Sequence, residues 1–260
     1  MKKDDGVVKR AIVTPDKHAP LHDRKAISVV QQAIELVKPD LYIDLGDCGE
    51  WESVSHWKWK NRKKPPLEYI VNDLEGDVQS VNDMLDGIDE ALDKVGCNVK
   101  HFIAGNHEEW LNSFVIEHPY LPQYTPQKAL KLQDRGYTYH QAGKYVKIGK
   151  LAYYHGHHFG GQYHTANHLR KLSGSIMYGH FHSFQMMAST GFNGPIEAWC
   201  IGCLKDMSSE KNAWLKGRPH SWTHAFAIVD YYKGGQFSVT PVKIINGQAS
   251  VWGQLIKGDK

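Results

Sequence analysis

Three short apolar runs, residues 11–14 (AIVT), 41–45 (LYIDL) and 99–104 (VKHFIA), constrain this chain most, because helical periodicity fills both gaps between them. Residues 23–37 place Ala26, Ile27, Val30, Ala33, Ile34 and Val37 along one face, with Asp23 positioned to cap the helix and Pro39 to stop it. Residues 67–95 carry a longer stripe through Ile70, Leu74, Val78, Val81, Leu85, Ile88 and Leu92, weakened at Gly76 and Gly87. Strand, helix, strand, helix, strand calls for crossover connections, which are right-handed between parallel strands. The first half is therefore expected to build a largely parallel sheet.

Beyond about residue 137 strands dominate. YVKI and LAYY flank Gly149-Lys150, a two-residue turn that opens with Gly as a type II′ hairpin requires. Residues 163–172 read as a short helix. SIMY, FQMMAS, EAWCIGCL, HAFAIVDYY, FSVTPVKII and ASVWGQL read as strands, with turns at 233–236 and 246–248. There is no internal repeat, low-complexity tract or linker, so residues 1–260 are expected to form one α/β domain in which two mixed sheets pack face to face.

A hydrophobic content of 41% suffices for such a core. Thirty-one Lys and Arg against 28 Asp and Glu leave a net charge of +3, too weak to imply nucleic acid without a local patch. The N-terminal MKKDDGVVKRAIV has scattered charges and no apolar run of signal-peptide length, and no stretch of about 18 uncharged apolar residues follows. The expectation is a cytoplasmic protein without a membrane partner. Four cysteines are too few and too scattered for a disulfide framework, and Cys200 and Cys203, inside a strand-like run, read as packed thiols.

Each apolar strand then ends in residues able to bind a metal. The exits are Asp16-Lys17-His18, Gly46-Asp47, Gly105-Asn106-His107, His155-Gly156 and Gly179-His180-Phe181-His182. In open α/β sheets the carboxyl ends of neighbouring strands converge on one crevice, so these side chains are expected to meet. Asp16 and His18, like His180 and His182, are two apart, and in extended chain both members of such a pair point the same way. Carboxylate, imidazole and amide donors together suit Mn²⁺, Fe²⁺ or Zn²⁺ better than Mg²⁺ or Ca²⁺.

The ordered set PDKH, GDCGE, GNHEEW, HGHH and GHFH, spread over residues 16–182, resembles the calcineurin-like metallophosphoesterase superfamily. The resemblance implies a four-layered αββα sandwich and two divalent metal ions, Mn²⁺ first, with Fe²⁺, Zn²⁺ or Ni²⁺ as alternatives. It implies that Asp16, His18, Asp47 and His182 hold one ion, that Asp47, Asn106, His155 and His180 hold the other, and that Asp47 bridges them. It further implies hydrolysis of a phosphoester by hydroxide held between the ions, with His107 facing the substrate as acid or charge stabiliser. Relatives with a GDxxD motif use the second Asp to orient that histidine; here the same offset gives Glu50. The serine/threonine protein phosphatases extend the motif to GDxxDRG, and the absence of that Arg from GDCGEWES argues against a protein phosphatase. A looser likeness is to small phosphoesterases encoded by phages.

The one local basic patch is WESVSHWKWKNRKKPP, where Trp57, Lys58, Trp59 and Lys60 are the candidate contacts to single-stranded nucleic acid, by stacking and charge neutralisation. His157 is a further candidate substrate contact. The leading expectation is a phosphodiesterase acting on nucleic acid or nucleotides. The alternatives are a phosphomonoesterase of small molecules and a catalytically inactive, metal-bound binding module.

Overall fold

The computed structural model describes residues 6–259, so the charged residues at positions 1–5, part of the N-terminal reading, lie outside the described residues. In chain order the elements are β1 (Val7–Thr14), α1 (Arg24–Val37), β2 (Leu41–Asp44), α2 (His56–Trp59), α3 (Leu67–Lys94), β3 (Val99–Ile103), α4 (Asn106–Glu117) and α5 (Pro126–Ala129). They continue with β4 (Tyr137–His140), β5 (Val146–Ile148), β6 (Leu151–Tyr153), α6 (His164–Leu172), β7 (Ser175–Tyr178), β8 (Phe184–Gly191) and β9 (Gly194–Ile201). The last are β10 (Ala225–Tyr232), β11 (Phe237–Lys243), β12 (Gln248–Val251) and β13 (Gln254–Lys257). Asp23 caps α1 as its position requires, its carboxylate accepting the Ala26 N–H at 2.9 Å.

The first sheet runs β11-β10-β1-β2-β3-β4, and the second β5-β6-β7-β9-β8. In the first, β1, β2, β3 and β4 are parallel while β10 and β11 add antiparallel strands. In the second, β6, β7 and β9 are parallel between antiparallel edges, so both sheets are mixed. Strand alternation sorts the core into layers. Ala11 and Val13 of β1 join Ile43, Ile103 and Val229 against Leu151, Tyr153, Met177 and Ile201 of the second sheet. Ile12, between them, points the other way and packs with Tyr42 and Phe102 under α1 and α3. On the far side Leu169 of α6 covers Ile176, Tyr178 and Ala198. The chain is an α/β sandwich of two mixed sheets packed face to face, helices outside both, as the sequence leads one to expect.

Two strand readings need correction. ASVWGQL is no single strand: Trp252 (φ 50°) and Gly253 (φ 78°) both take left-handed backbone, which turns the segment into the β12–β13 hairpin. EAWCIGCL stops at Ile201, because Gly202 (φ 80°) turns the chain where a Cβ would lie 2.2 Å from the Thr223 carbonyl. Cys200 and Cys203 are buried on either side of that turn, with burial pushing both thiols up. Strand β4, too polar to read as a strand, extends the parallel sheet at its edge. Among the described residues no helix is long and apolar enough to cross a membrane.

Candidate metal centre

Parallel β1, β2 and β3 send their carboxyl ends to one edge, and the exits of β6 and β7 from the second sheet join them there. Asp16 and His18 follow β1, Asp47 follows β2, Asn106 opens α4 after β3, His155 follows β6, and His180 and His182 follow β7. Three groups of potential ligands result, two of them built from the strand-exit residues: Asp16 with His18 and His182, and Asp47 with His155 and His180; the third is His18 with Glu50 and His107. In the first, the Nε2 atoms of His18 and His182 are 3.0 Å apart, and Asp16 Oδ2 lies 3.3 Å from His182 Nε2. In the second, His155 Nε2 is 3.1 Å from Asp47 Oδ2, 3.2 Å from His180 Nδ1 and 3.0 Å from Asn106 Oδ1. Asp47 Oδ2 is also 4.0 Å from His18 Nε2, so this one oxygen stands between the clusters.

The donor chemistry tests whether a cation fits. His155 Nδ1 donates to the Leu45 carbonyl at 2.8 Å, so Nε2 is the nitrogen turned inward, toward a carboxylate oxygen, an amide oxygen and another imidazole nitrogen. Such a buried convergence of acceptors calls for positive charge, a proton on Nε2 in the metal-free chain or a divalent cation in its place. Burial pulls the His155 imidazole down, yet the Asp47 and Asp16 carboxylates outweigh it and raise it to about 10, a measure of the negative potential there. Burial pushes His18 to about 4 and His180 to about 3, leaving both as neutral donors. Burial alone would raise the Asp47 carboxyl, but the charges on His155 and His107 hold it well below the usual range. The residues present fit divalent ions.

The backbone is also unusual here. His18 (φ 56°), Asp47 (φ 46°), His180 (φ 67°) and His182 (φ 58°) all occupy the left-handed region, at roughly 1–2 kcal/mol each for a residue with a Cβ. Strain gathered at one place, where packing holds it, is characteristic of a site built for binding. The turns meet closely: a Cβ on Gly105 would lie 2.1 Å from Asp47 Oδ1, and one on Gly179 would lie 2.0 Å from Asp16 Oδ1.

Several residues inside or beside the motifs have supporting roles that the motifs did not reveal. Glu108, fully buried, accepts Asp47 N–H and Gly105 N–H on Oε2, both at 2.8 Å. Its Oε1 accepts Cys48 N–H at 3.0 Å and the Trp51 indole N–H at 3.3 Å. A Glu three residues after Gly105 at a helix start is the signal that could have revealed it. Lys17 Nζ, buried between the two ligands of the first exit, lies 2.8 Å from the equally buried Asp44 Oδ2. Lys205 Nζ lies 2.8 Å from Glu50 Oε2.

Glu50 requires the main correction. Its carboxylate does not orient His107; Oε2 lies 2.9 Å from His18 Nδ1, on the outer side of a candidate ligand. His107 is oriented instead by the main chain of the same residue, Nδ1 donating to the Glu50 carbonyl at 2.8 Å. Its Nε2 is thereby turned toward Asp47 Oδ2, 3.9 Å away. A glutamate has one more methylene than an aspartate, and here that reach takes its carboxylate to His18 and Lys205.

His107, Asn106, His180 and His182 line one cavity of about 800 Å³, and Trp57 and Lys58 line it too. Trp59 and Lys60 line a neighbouring cavity of about 360 Å³, because the Trp59 indole donates to the Ser53 carbonyl at 2.8 Å and turns away from the site. His157 stands beside His155 and His180, ring centroids 5.7 and 6.1 Å away. Burial pushes its imidazole down to about 4.

No protein-family model matches the chain. It is similar to the Gene 54 proteins of Mycobacterium phages D29 and L5, 25% identical to each over 95% of this chain and 98% of theirs. Among solved structures, Vps29 of Entamoeba histolytica, as a single mutant, aligns at TM-score 0.48 and 11% identity over 96% of this chain and 99% of its own. Vps29 of Chaetomium thermophilum aligns at TM-score 0.40 and 11% identity, covering 91% and 98%. Protein TM1076 of Thermotoga maritima aligns at 0.35 and 13%, covering 90% and 98%.

Proposed function

We propose that the chain is a calcineurin-like metallophosphoesterase, residues 1–260 acting as one domain, that hydrolyses phosphodiesters of nucleic acid or nucleotides with two divalent ions, Mn²⁺ preferred. The observation that carries the reading is Asp47 Oδ2, within 3.1 Å of His155 Nε2 and 4.0 Å of His18 Nε2, between two clusters of donors. Asp16, His18, Asp47 and His182 would hold one ion, and Asp47, Asn106, His155 and His180 the other. When bound, such a pair supplies an activated water and positive charge for the phosphoryl oxygens.

The chain's own residues then do the rest. His107 donates through Nδ1 to the Glu50 carbonyl, so Nε2 is the atom that carries a proton to the leaving oxygen. Its ring lies between that of His18, T-shaped with centroids 4.6 Å apart, and that of Trp110, tilted and 3.9 Å away. Its main-chain N–H donates to Asp47 Oδ1 at 2.9 Å, which ties the proton carrier to the central carboxylate. The Glu50 carboxylate stands 2.9 Å from His18 Nδ1, and Glu108 fixes the turn that presents Asp47. The cavity of about 800 Å³ is larger than a simple phosphate monoester needs, which favours a diester with groups on both sides of phosphorus.

Turnover of bis(p-nitrophenyl) phosphate against p-nitrophenyl phosphate, with Mn²⁺ and with chelator, tests the proposal. Diester turnover that chelation abolishes supports it. Turnover of the monoester alone would move the reading to a small-molecule phosphomonoesterase, and none of either would leave a metal-bound binding module.

A further inference from the structure

The cavity over the metal centre has a second wall that the sequence motifs do not mention, built by residues 206–222. This segment contributes Glu210, Lys211, Trp214 and Trp222 to the lining, while residues 55–58 contribute Trp57 and Lys58. Trp57 is 67% exposed and Trp214 57% exposed, large apolar surface left open to water beside a polar site.

Neither indole hangs from a loose loop. Residues 206–222 are fastened to the candidate ligand turns: Leu204 N–H donates to the Asp16 carbonyl at 2.7 Å, Asp206 N–H to the Leu21 carbonyl at 2.7 Å, and Thr223 N–H to the His182 carbonyl at 2.8 Å. Inside the segment the buried Asn212 amide donates to the Asp206 and Ser208 carbonyls at 2.7 and 2.9 Å, bracing the turn that carries Trp214. Trp222 links the wall to the centre, its ring 6.0 Å from Trp214 and 4.7 Å from His182. On the other wall Ser55 accepts Trp57 N–H at 3.2 Å, and Lys60 Nζ lies 5.2 Å from the Trp57 ring centroid.

Charge accompanies both aromatics. Residues 55–64 hold Lys58, Lys60, Arg62, Lys63 and Lys64 with no acid, and residues 206–222 hold Lys211, Lys216 and Arg218 against Asp206 and Glu210. Exposed aromatic faces on braced backbone with flanking cations are what unpaired nucleic acid needs: rings for bases and ammonium groups for phosphates. In a duplex, stacking of neighbouring base pairs would hide the base faces from both rings.

We infer that Trp57 and Trp214 are base-stacking platforms on two walls of the cavity, and that they select an unpaired polynucleotide strand with its phosphate over the metal centre. The inference rests on the phosphodiesterase reading and adds to it the state of the substrate and the residues that choose it.

The test is equilibrium binding, by fluorescence anisotropy, of a hydrolysis-resistant phosphorothioate hexathymidylate to the full chain with Mn²⁺. An abasic phosphorothioate hexamer of equal charge is the control. The wild-type chain should prefer the thymidylate. Trp57→Ala and Trp214→Ala should each weaken thymidylate binding by about 5- to 150-fold, the worth of one base stack, with abasic binding unchanged. Trp57→Phe and Trp214→Phe should retain most of the affinity. Equal wild-type affinity for both hexamers, or wild-type affinity in either Ala variant, overturns the two-wall assignment. Failure of the enzyme reading registers separately, as absence of bis(p-nitrophenyl) phosphate turnover in a wild-type chain that still discriminates the two hexamers.

Discussion

Removing the Glu108 carboxylate should loosen two ligand turns at once. Glu108→Ala leaves four buried donors without an acceptor, the N–H groups of Gly105, Asp47 and Cys48 and the Trp51 indole. Hydrogen bonds to a charged group contribute about 1.5–3 kcal/mol each, so four sum to roughly 6–12 kcal/mol. Deleting the group also removes the several kcal/mol that burying a carboxylate costs. The expected net loss is about 3–5 kcal/mol, a large share of the ~5–15 kcal/mol by which folded proteins are stable. Glu108→Gln should lose about half as much, since its amide oxygen can serve one pair of donors while its NH₂ faces the other pair. Urea unfolding followed by tryptophan fluorescence gives both numbers, and calorimetric Mn²⁺ titration should show affinity falling at least about tenfold with them. A loss below about 1 kcal/mol for Glu108→Ala, or equal losses for Ala and Gln, would refute the reasoning.

Other outcomes follow from the same geometry. Asp47→Asn should abolish the bridge and reduce bound Mn²⁺ from two per chain, as counted by mass spectrometry of the metal; two tightly bound ions in the variant would contradict the bridging role. His107→Ala should keep its metal and lose about 10²- to 10⁴-fold in turnover of a diester with a poor leaving group; unchanged turnover would remove it as the acid. Lys17→Met should cost about 3–5 kcal/mol in thermal or urea unfolding by stranding the buried Asp44 carboxylate. Burial lowers the Lys17 ammonium, but the Asp44 charge outweighs it and leaves it raised. The contribution of Lys17 is therefore fully present below the ordinary lysine value of 10.5 and is lost only as pH climbs from there toward the raised folded value. Charge reversal at Lys58, Lys60 and Lys63 should weaken single-strand binding and flatten its salt dependence by about 0.7 in the log–log slope for each phosphate no longer neutralised.

Most of the strands, the helices α1, α3 and α6 and the residues at the strand exits could be read from the chain alone, because burial imposes periods of 2 and 3.6 that are local and because ligand-rich turns interrupt them abruptly. Asp23 as a cap and the stripe of α3 are of this kind. The partners of the charged side chains were decided only in three dimensions. Glu50 meets His18 and, 155 residues along the chain, Lys205, and Glu108 reaches back 61 residues to Asp47. No spacing encodes those distances, since they depend on how the two sheets and their connecting turns pack. The wall of residues 206–222 belongs with them: in sequence it is a polar loop, and its fastening to the Asp16 and His182 turns makes it part of the site.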